Sequence, residues 1–510
     1  MYRQATGALA LSLVALAWSS PASAGDALDH SQFVELQQPF ETPEQVTEAC
    51  QSCHLDVAED IHHTKHWMWQ TDDVAGSGKR TSMNNFCLNV AGNWPRCTSC
   101  HIGYGYSDNK FDFQADNKID CLVCHDTTGT YKKFPTKAGY PVLEDTDFMG
   151  KTFKAVDLTH VALNVGEVGR DNCGTCHFYG GGGDGVKHGD MDSSLKKPSR
   201  SLDVHMDVDG LNFSCVDCHE TEDHQVGGGT SQRLPEGHAS KAPVVACENC
   251  HTETPHSQSE HSARLNDHTG TVACQTCHIP EYARGGVPTK MQWDWSQAGQ
   301  MGEDGKPLVK KDEHGHQIYN GMKGAFVMGE NMVPTYTWWN GNWSSLTYDD
   351  VIDPSTVLGM RTPNGGPGDG KIFPFKVHHG TQPYDKVANV LIAPKLFGKP
   401  GSGAYWKDYD WNAAAAAGMK LTGHEFSGEL GWVESDMYWD QNHMVAPRED
   451  ALDCADCHAE NGRLAGIPGV YIPGQSRSGL VDMLGWLVIG LSGLGAVGHG
   501  GARMIFGRKK

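Results

Sequence analysis

The sequence predicts a mainly α-helical domain with extensive loops, followed by one membrane helix. Three observations predict it. Cys-x-x-Cys-His occurs eight times, the 510 residues include 61 glycines and 24 prolines, and residues 483–498 are uncharged just ahead of a basic terminus. In Cys-x-x-Cys-His the two cysteines can form thioethers to a haem and the histidine ligates its iron. Sixteen of the 17 cysteines fall in these motifs, so eight covalently attached c-type haems are expected and no intramolecular disulfide framework is available. Porphyrin then replaces much of the apolar side chain in the core. Residues 25–475 are read as a haem-packed multihaem cytochrome c domain.

Residues 1–24 carry Arg3, an apolar run from Ala8 to Trp18, and Ala22-Ser23-Ala24, the pattern of a secretory signal peptide. A retained anchor is the alternative, but the run is shorter than the roughly 20 residues a span needs. Export places the haem domain in the periplasm or an equivalent extracytoplasmic space.

The first motif, Cys50, Cys53 and His54, follows Pro43-Glu44-Gln45-Val46, which reads as a helix start. His62, His63 and His66 come next. The second motif, Cys97, Cys100 and His101, follows the odd Cys87, and the third, Cys121, Cys124 and His125, comes close behind, so neighbouring haems are expected. The fourth, Cys173, Cys176 and His177, runs into a loop holding Gly180, Gly181, Gly182, Gly183, Asp184, Lys187 and His188. The fifth, Cys215, Cys218 and His219, is preceded by His205. The sixth, Cys247, Cys250 and His251, and the seventh, Cys274, Cys277 and His278, bracket His256, His261 and His268. The gaps are irregular, which makes this an array and not a fixed-period repeat.

Residues 279–453 hold no motif and turn to Gly, Trp and Tyr, a composition suited to wrapping the haems. Within them residues 311–315 read as a turn between two short strands, and the alanine run at 411–421 reads as a helix. The eighth motif is Cys454, Cys457 and His458, with His443 just before it. Residues 480–505 are read as a transmembrane anchor. The uncharged part is about 24 Å long against a hydrocarbon core of roughly 30 Å, so flanking residues must contribute. Arg503, Arg508, Lys509 and Lys510 place its end in the cytoplasm. A buried amphipathic helix is the alternative.

The net charge of -21 excludes nucleic acid as a partner, because phosphate binding needs clustered Lys and Arg. An anionic substrate requires basic residues that focus a local positive field.

Eight haems have sixteen axial positions, and the motif histidines fill half of them. The 27 histidines leave nineteen others, so a wire of purely histidine-ligated haems is permitted. His66, His188, His205, His224, His256, His268, His378 and His443 are the expected distal ligands. His30, His160, His314, His316 and His424 read as solvated or structural. The choices among His62, His63 and His66, and between His378 and His379, stay open. By spacing alone Lys187 reads as a solvated lysine. Against that, four glycines remove side chains where backbone passes a macrocycle, and Asp184 could hold an ammonium or relay a proton. A neutral lysine binds iron only when desolvation or the metal lowers its pKa, and it is a displaceable ligand. Cys87 reads either as a small buried hydrophobe or as a thiol beside a haem.

The phrases CLVCHDTTGTYKK, CHFYGGGGDGVKHGD, ACQTCHIP and NHMVAPREDALDCADCH, with eight motifs and the long gap before the last, resemble the octahaem tetrathionate reductase family over residues 45–460. In that family one lysine-ligated haem forms the active site, with an aspartate three residues before the lysine and a cysteine upstream of the haem motif. Lys187, Asp184 and Cys87 match those catalytic positions, and the resemblance implies that the second haem is the active one. The family is also similar in haem arrangement to octahaem hydroxylamine oxidoreductase and pentahaem nitrite reductase. The expectation is a membrane-anchored reductase of tetrathionate, nitrite or hydroxylamine, fed by a quinol-linked or cytochrome donor. A non-catalytic electron conduit and hydroxylamine oxidation are the rivals.

Overall fold

The computed structural model describes residues 28–69, 79–228, 244–459, 461–472 and 479–507. The expected signal peptide and the basic Arg508, Lys509 and Lys510 lie outside the described residues. Helix α1, Pro43–Gln51, starts where the sequence placed it. Gln45 Oε1 accepts from the backbone N–H of Glu41 and Thr42, at 2.8 and 3.2 Å, satisfying donors that a helix start leaves open. Its Val46 packs with Leu122, Val123, Leu158 and Val161 in one apolar cluster.

The haem motifs sit on very short helices, such as Leu122–His125, Cys274–His278 and Cys454–His458, or on 3-10 turns such as Cys97–Cys100. The fourth motif ends the longer helix α2, Arg170–His177. One turn suffices for the chemistry, because residues i, i+3 and i+4 share a helix face and both cysteines and the histidine of a motif then project to one side.

The expectation of a mainly α-helical domain is corrected here: helix makes up 29% of the chain and strand 19%. Residues 289–440 supply a ten-stranded sheet. Its strands are β1 (Thr289–Asp294), β2 (Val309–Lys311), β3 (Gln317–Asn320), β4 (Gly324–Gly329), β5 (Thr335–Trp339), β6 (Trp343–Ser345), β7 (Leu358–Pro363), β8 (Lys371–Asp385), β9 (Val390–Leu391) and β10 (Leu430–Asp440). The order is β6-β7-β10-β8-β1-β4-β3-β2, with β5 and β9 also paired to β8. The Trp and Tyr residues that coloured this segment are strand formers, and they pack on a pleated, half-buried surface. The expected turn at 311–315 does join the antiparallel β2 and β3.

β8 is the axis of the sheet. It runs antiparallel to β10, with His378 opposite Met437, and parallel to β1, with His379 opposite Gln292. Behind it Trp293, Trp295, Met360, Ile392, Ala415 and Met419 form the largest apolar cluster. Helix α3, Trp411–Thr422, confirms the alanine-run reading; Asp410 caps its start by accepting from Ala413 N at 3.0 Å, and Gly423 ends it at φ 84°. Helix α4, Gly479–Phe506, is 28 residues long with a mean hydropathy of 1.8 over its most apolar window, none of which is buried. Its length of about 42 Å exceeds the roughly 30 Å a bilayer core requires.

Candidate functional site

A histidine nitrogen binds a metal at about 2.0 Å, so two imidazoles on opposite faces of one iron have ring centroids roughly 6.3 Å apart. The structure holds pairs at that separation. His30 faces His54 at 6.5 Å, His66 faces His177 at 6.1 Å, and His205 faces His251 at 5.9 Å. His219 with His443, His256 with His278, and His268 with His458 each stand 6.3 Å apart. His224 lies beside His125; burial and then that neighbour lower its pKa. Several of these rings engage Nδ1 elsewhere, which leaves Nε2 for a metal. His125 and His219 donate to the Gly166 and Gly227 carbonyls at 2.9 and 2.7 Å, and His443 Nδ1 meets Asp190 at 3.1 Å. The residues at these seven motifs fit axially ligated haem.

Three placements differ from the sequence reading. His30, taken as solvated or structural, faces a motif histidine. His188 and His378, taken as distal ligands, do not. His188 stands edge-on to Trp439 at 5.2 Å, on the loop that carries Lys187. His378 is held by β8 against the sheet, its ring 4.1 Å from Phe86 and its Nδ1 2.9 Å from Asn85 Oδ1. Of His62, His63 and His66, it is His66 that faces a motif histidine.

The motif cysteines approach one another across the chain. Cys50 meets Cys121, Cys100 meets Cys176, Cys173 meets Cys215, and Cys247 meets Cys274. Cys124 bears on Cys173, Cys250 on Cys218, and Cys457 on Cys277. The attachment sites therefore run in one line, motifs one, three, four, five, six, seven and eight, with motif two branching from four.

The branch differs from the line. Among the described residues no second histidine stands opposite His101. Its ring is fully buried, and burial pushes its pKa down to about 3. Nε2 lies 2.6 Å from the Trp67 carbonyl oxygen, and Nδ1 is buried without a partner. Three lysines stand near this motif: Lys133, which donates to the His101 carbonyl, Lys79, which lies over the Trp69 ring beside His101, and Lys187. Burial first, then Lys79 and Arg361, lower its pKa to about 7, and Cys100 is among the groups that bear on it. Lys187 Nζ lies 4.3 Å from the Trp439 ring centre, and Arg361 lies 4.8 Å over the same ring with Asp440 3.7 Å away. Arg361, Trp439 and Asp440 escaped the sequence reading, because strands 70 residues apart in the chain bring them together.

The glycine loop is fixed by chemistry that spacing did not reveal. Lys187 N donates to Gly180 O at 3.2 Å, and Gly181 and Gly182 hold φ of 77° and 90°, which favours glycine. A Cβ on Gly182 would stand 3.6 Å from Cys87 Sγ. The fully buried Lys376 of β8 donates to Val186 O at 2.8 Å, Lys187 O at 3.1 Å and Thr289 Oγ1 at 2.5 Å. Thr289 Oγ1 in turn donates to Gly185 O at 2.6 Å. The Asp184 carboxylate accepts from Ser193 N at 2.9 Å and from Ser193 Oγ, and so braces the loop.

A family model described as bacterial cytochrome c matches residues 290–461. The solved octahaem cytochrome c from Shewanella oneidensis is 43% identical, covers 89% of this chain and 100% of its own, and superposes with a TM-score of 0.77. This chain belongs to the octahaem cytochromes c. An uncharacterised protein from Archaeoglobus fulgidus is 24% identical over 42% of this chain and 88% of its own length. Membership makes this octahaem cytochrome a redox protein with covalently bound c-type haems.

Proposed function

We propose that the protein is a membrane-anchored reductase of small sulfur or nitrogen compounds, tetrathionate, nitrite or hydroxylamine, acting beside the second motif. One observation carries the reading: seven motif histidines each face or adjoin another histidine, whereas the second motif has Lys187 in its neighbourhood. All eight motifs would carry haem, held by their cysteine pairs, with His30, His66, His205, His224, His256, His268 and His443 as distal ligands. Haem at these sites would supply the electron relay and, at motif two, the iron for the chemistry.

The chain's own residues do the rest. A lysine with a pKa near 7 is substantially neutral at neutral pH and able to act as a ligand. Lys376, Thr289 and Asp184 hold its loop in place, so that the side chain of Lys187 can move while the backbone stays fixed. Arg361 and the protonated fraction of Lys187 offer positive charge to a leaving sulfur or oxygen. For tetrathionate two electrons break the central S–S bond and give two thiosulfates. Residue 472 is buried against Trp338, and the seven residue steps from there to α4 span at most about 25 Å. The eighth motif, nearest the anchor in sequence, is therefore the entry for electrons from a quinol-linked or cytochrome donor on the periplasmic side.

A conduit is the second reading, favoured by the unbroken run of attachment sites from Cys50 beside Cys121 to Cys277 beside Cys457. Ligand spectroscopy separates the two. In the ferric holoprotein Lys187→Ala should abolish one non-histidine haem signature, lower turnover at least about a hundredfold and leave the other haem signals intact. Identical spectra and turnover in that variant would remove Lys187 from the site.

A further inference from the structure

His443 is held unlike the other histidines that face or adjoin a motif. Its ring stands 6.3 Å from that of His219, and its Nδ1 lies 3.1 Å from Asp190 Oδ2. The same carboxylate oxygen accepts from the backbone N–H of Asn442 at 2.6 Å and of His443 at 2.9 Å. Three donors thus converge on one oxygen of a side chain that is 1% exposed, while Oδ1 is buried without a hydrogen-bond partner. Among the described residues no other distal candidate has a carboxylate at hydrogen-bond distance from its ring. Nδ1 of His205 and of His224 stands 3.8 and 3.9 Å from Asp203 and Asp60, beyond that reach. His256 meets the neutral Asn266 Oδ1 at 3.2 Å, and His30 Nδ1 is buried unpartnered. Across the fifth site, His219 donates to the neutral Gly227 carbonyl at 2.7 Å. Asp190 lies three residues after Lys187, on the chain that Lys376 holds by the Val186 and Lys187 carbonyls. The loop that carries Lys187 therefore delivers a carboxylate to the fifth motif.

A carboxylate that accepts from the outer nitrogen of a ligating histidine fixes the tautomer and the ring and makes the ligand more basic. A more basic ligand favours ferric over ferrous iron, and hydrogen bonding of this kind is one of the levers a protein has on haem potential. We propose that Asp190 is a positioning residue that makes the haem of the fifth motif the most reducing of the histidine-ligated set. The inference rests on His443 as the distal ligand of that haem and holds equally for a reductase and for a conduit. Motif five stands between motif four and motif six, its Cys215 beside Cys173 and its Cys218 beside Cys250. A low potential there divides the line into two electron reservoirs, one on the side of Lys187 and one on the side of the eighth motif.

Asp190→Asn separates charge from shape. The asparagine oxygen can stand where Oδ2 accepts its three bonds, with the NH2 group where Oδ1 has no partner. The test is a potentiometric titration of the holoprotein at fixed pH, followed by electron paramagnetic resonance. In the wild type, the low-spin signal that His443→Ala abolishes should be the last of the histidine-ligated set to disappear on reduction. Asp190→Asn should raise the midpoint potential of that haem by at least about 59 mV, a tenfold change in its one-electron equilibrium. Asp190→Glu, which keeps the charge, should recover part of that shift. An unmoved potential in Asp190→Asn, with the signal lost in His443→Ala, overturns the role of Asp190 and leaves the ligand in place. Retention of every low-spin signal in His443→Ala overturns the ligand and the inference together. A histidine-ligated haem that reduces after the His443 haem in the wild type overturns the ranking.

Discussion

Two fully buried charged side chains show how single residues hold this fold in working order. Lys376 satisfies two loop carbonyls and a threonine hydroxyl, and methionine in its place leaves the carbonyls of Val186 and Lys187 without a donor. Each orphaned buried acceptor costs about 1–3 kcal/mol, so Lys376→Met should lower the melting temperature and broaden the Lys187-dependent haem signal. A sharp, unshifted signal would show that the loop does not depend on the clamp. Asp385, at the end of β8, accepts from Val387 N at 2.9 Å, Ala388 N at 3.0 Å, Ser427 N at 2.7 Å and Ser427 Oγ at 2.8 Å. Burial opposes ionisation, but these bonds win and lower its pKa below 3.8. A depressed folded pKa contributes stability above the unfolded value and loses it as pH falls through the folded one. Asp385→Asn presents an amide N–H where Ser427 N already donates, and should cost about 1–3 kcal/mol at neutral pH. The gap in melting temperature from wild type should narrow as pH falls through the depressed folded pKa. A gap that persists there assigns the loss to packing.

At the scale of elements, the legible parts were those with local signals. α1 announced itself by Pro43, α3 by its alanines, and the β2–β3 turn by the polar residues at 311–315. The sheet was not legible as a sheet, because β7 and β8 each pair with β10, about 70 and 50 residues further on, and those partners leave no periodic trace in either strand alone. Asp184 and Lys376 show the same limit within the candidate site. The resemblance singled out Asp184 by its distance from Lys187, yet its carboxylate is spent on Ser193, and the amine that clamps the loop comes from β8. α4 was legible from composition, and its role is separable from the haem domain. Ending the chain after Ile472 should move the protein from the membrane to the soluble fraction with haem content and dithionite-driven turnover retained. Quinol-driven turnover should fall at least about tenfold, since tethering supplies an effective donor concentration. A truncated protein that stays in the membrane fraction would show that the haem domain itself binds the membrane.

For the whole molecule, the pairings of motif histidines with distant ones decide whether the array is a line with a distinct branch. The local sequence favoured histidines in segments with local structure, which brought in His188 and His378 and passed over His30, twenty-four residues ahead of His54. Pairing is a property of the folded array: His443 reaches back to His219, and His66 forward to His177, so sequence neighbourhood carries little of it. Three single substitutions test the arrangement together. His30→Ala should convert one histidine-ligated low-spin haem to another state, read by ferric electron paramagnetic resonance. It should leave the Lys187 signature untouched, because motif one is separated from motif two by motifs three and four. His188→Ala and His378→Ala should keep every histidine-ligated signal, since neither ring faces a motif histidine. Loss of a low-spin signal in either of those, or its retention in His30→Ala, would redraw the line. The first outcome would also return the second motif to the histidine-ligated class and, with it, favour the conduit over the reductase.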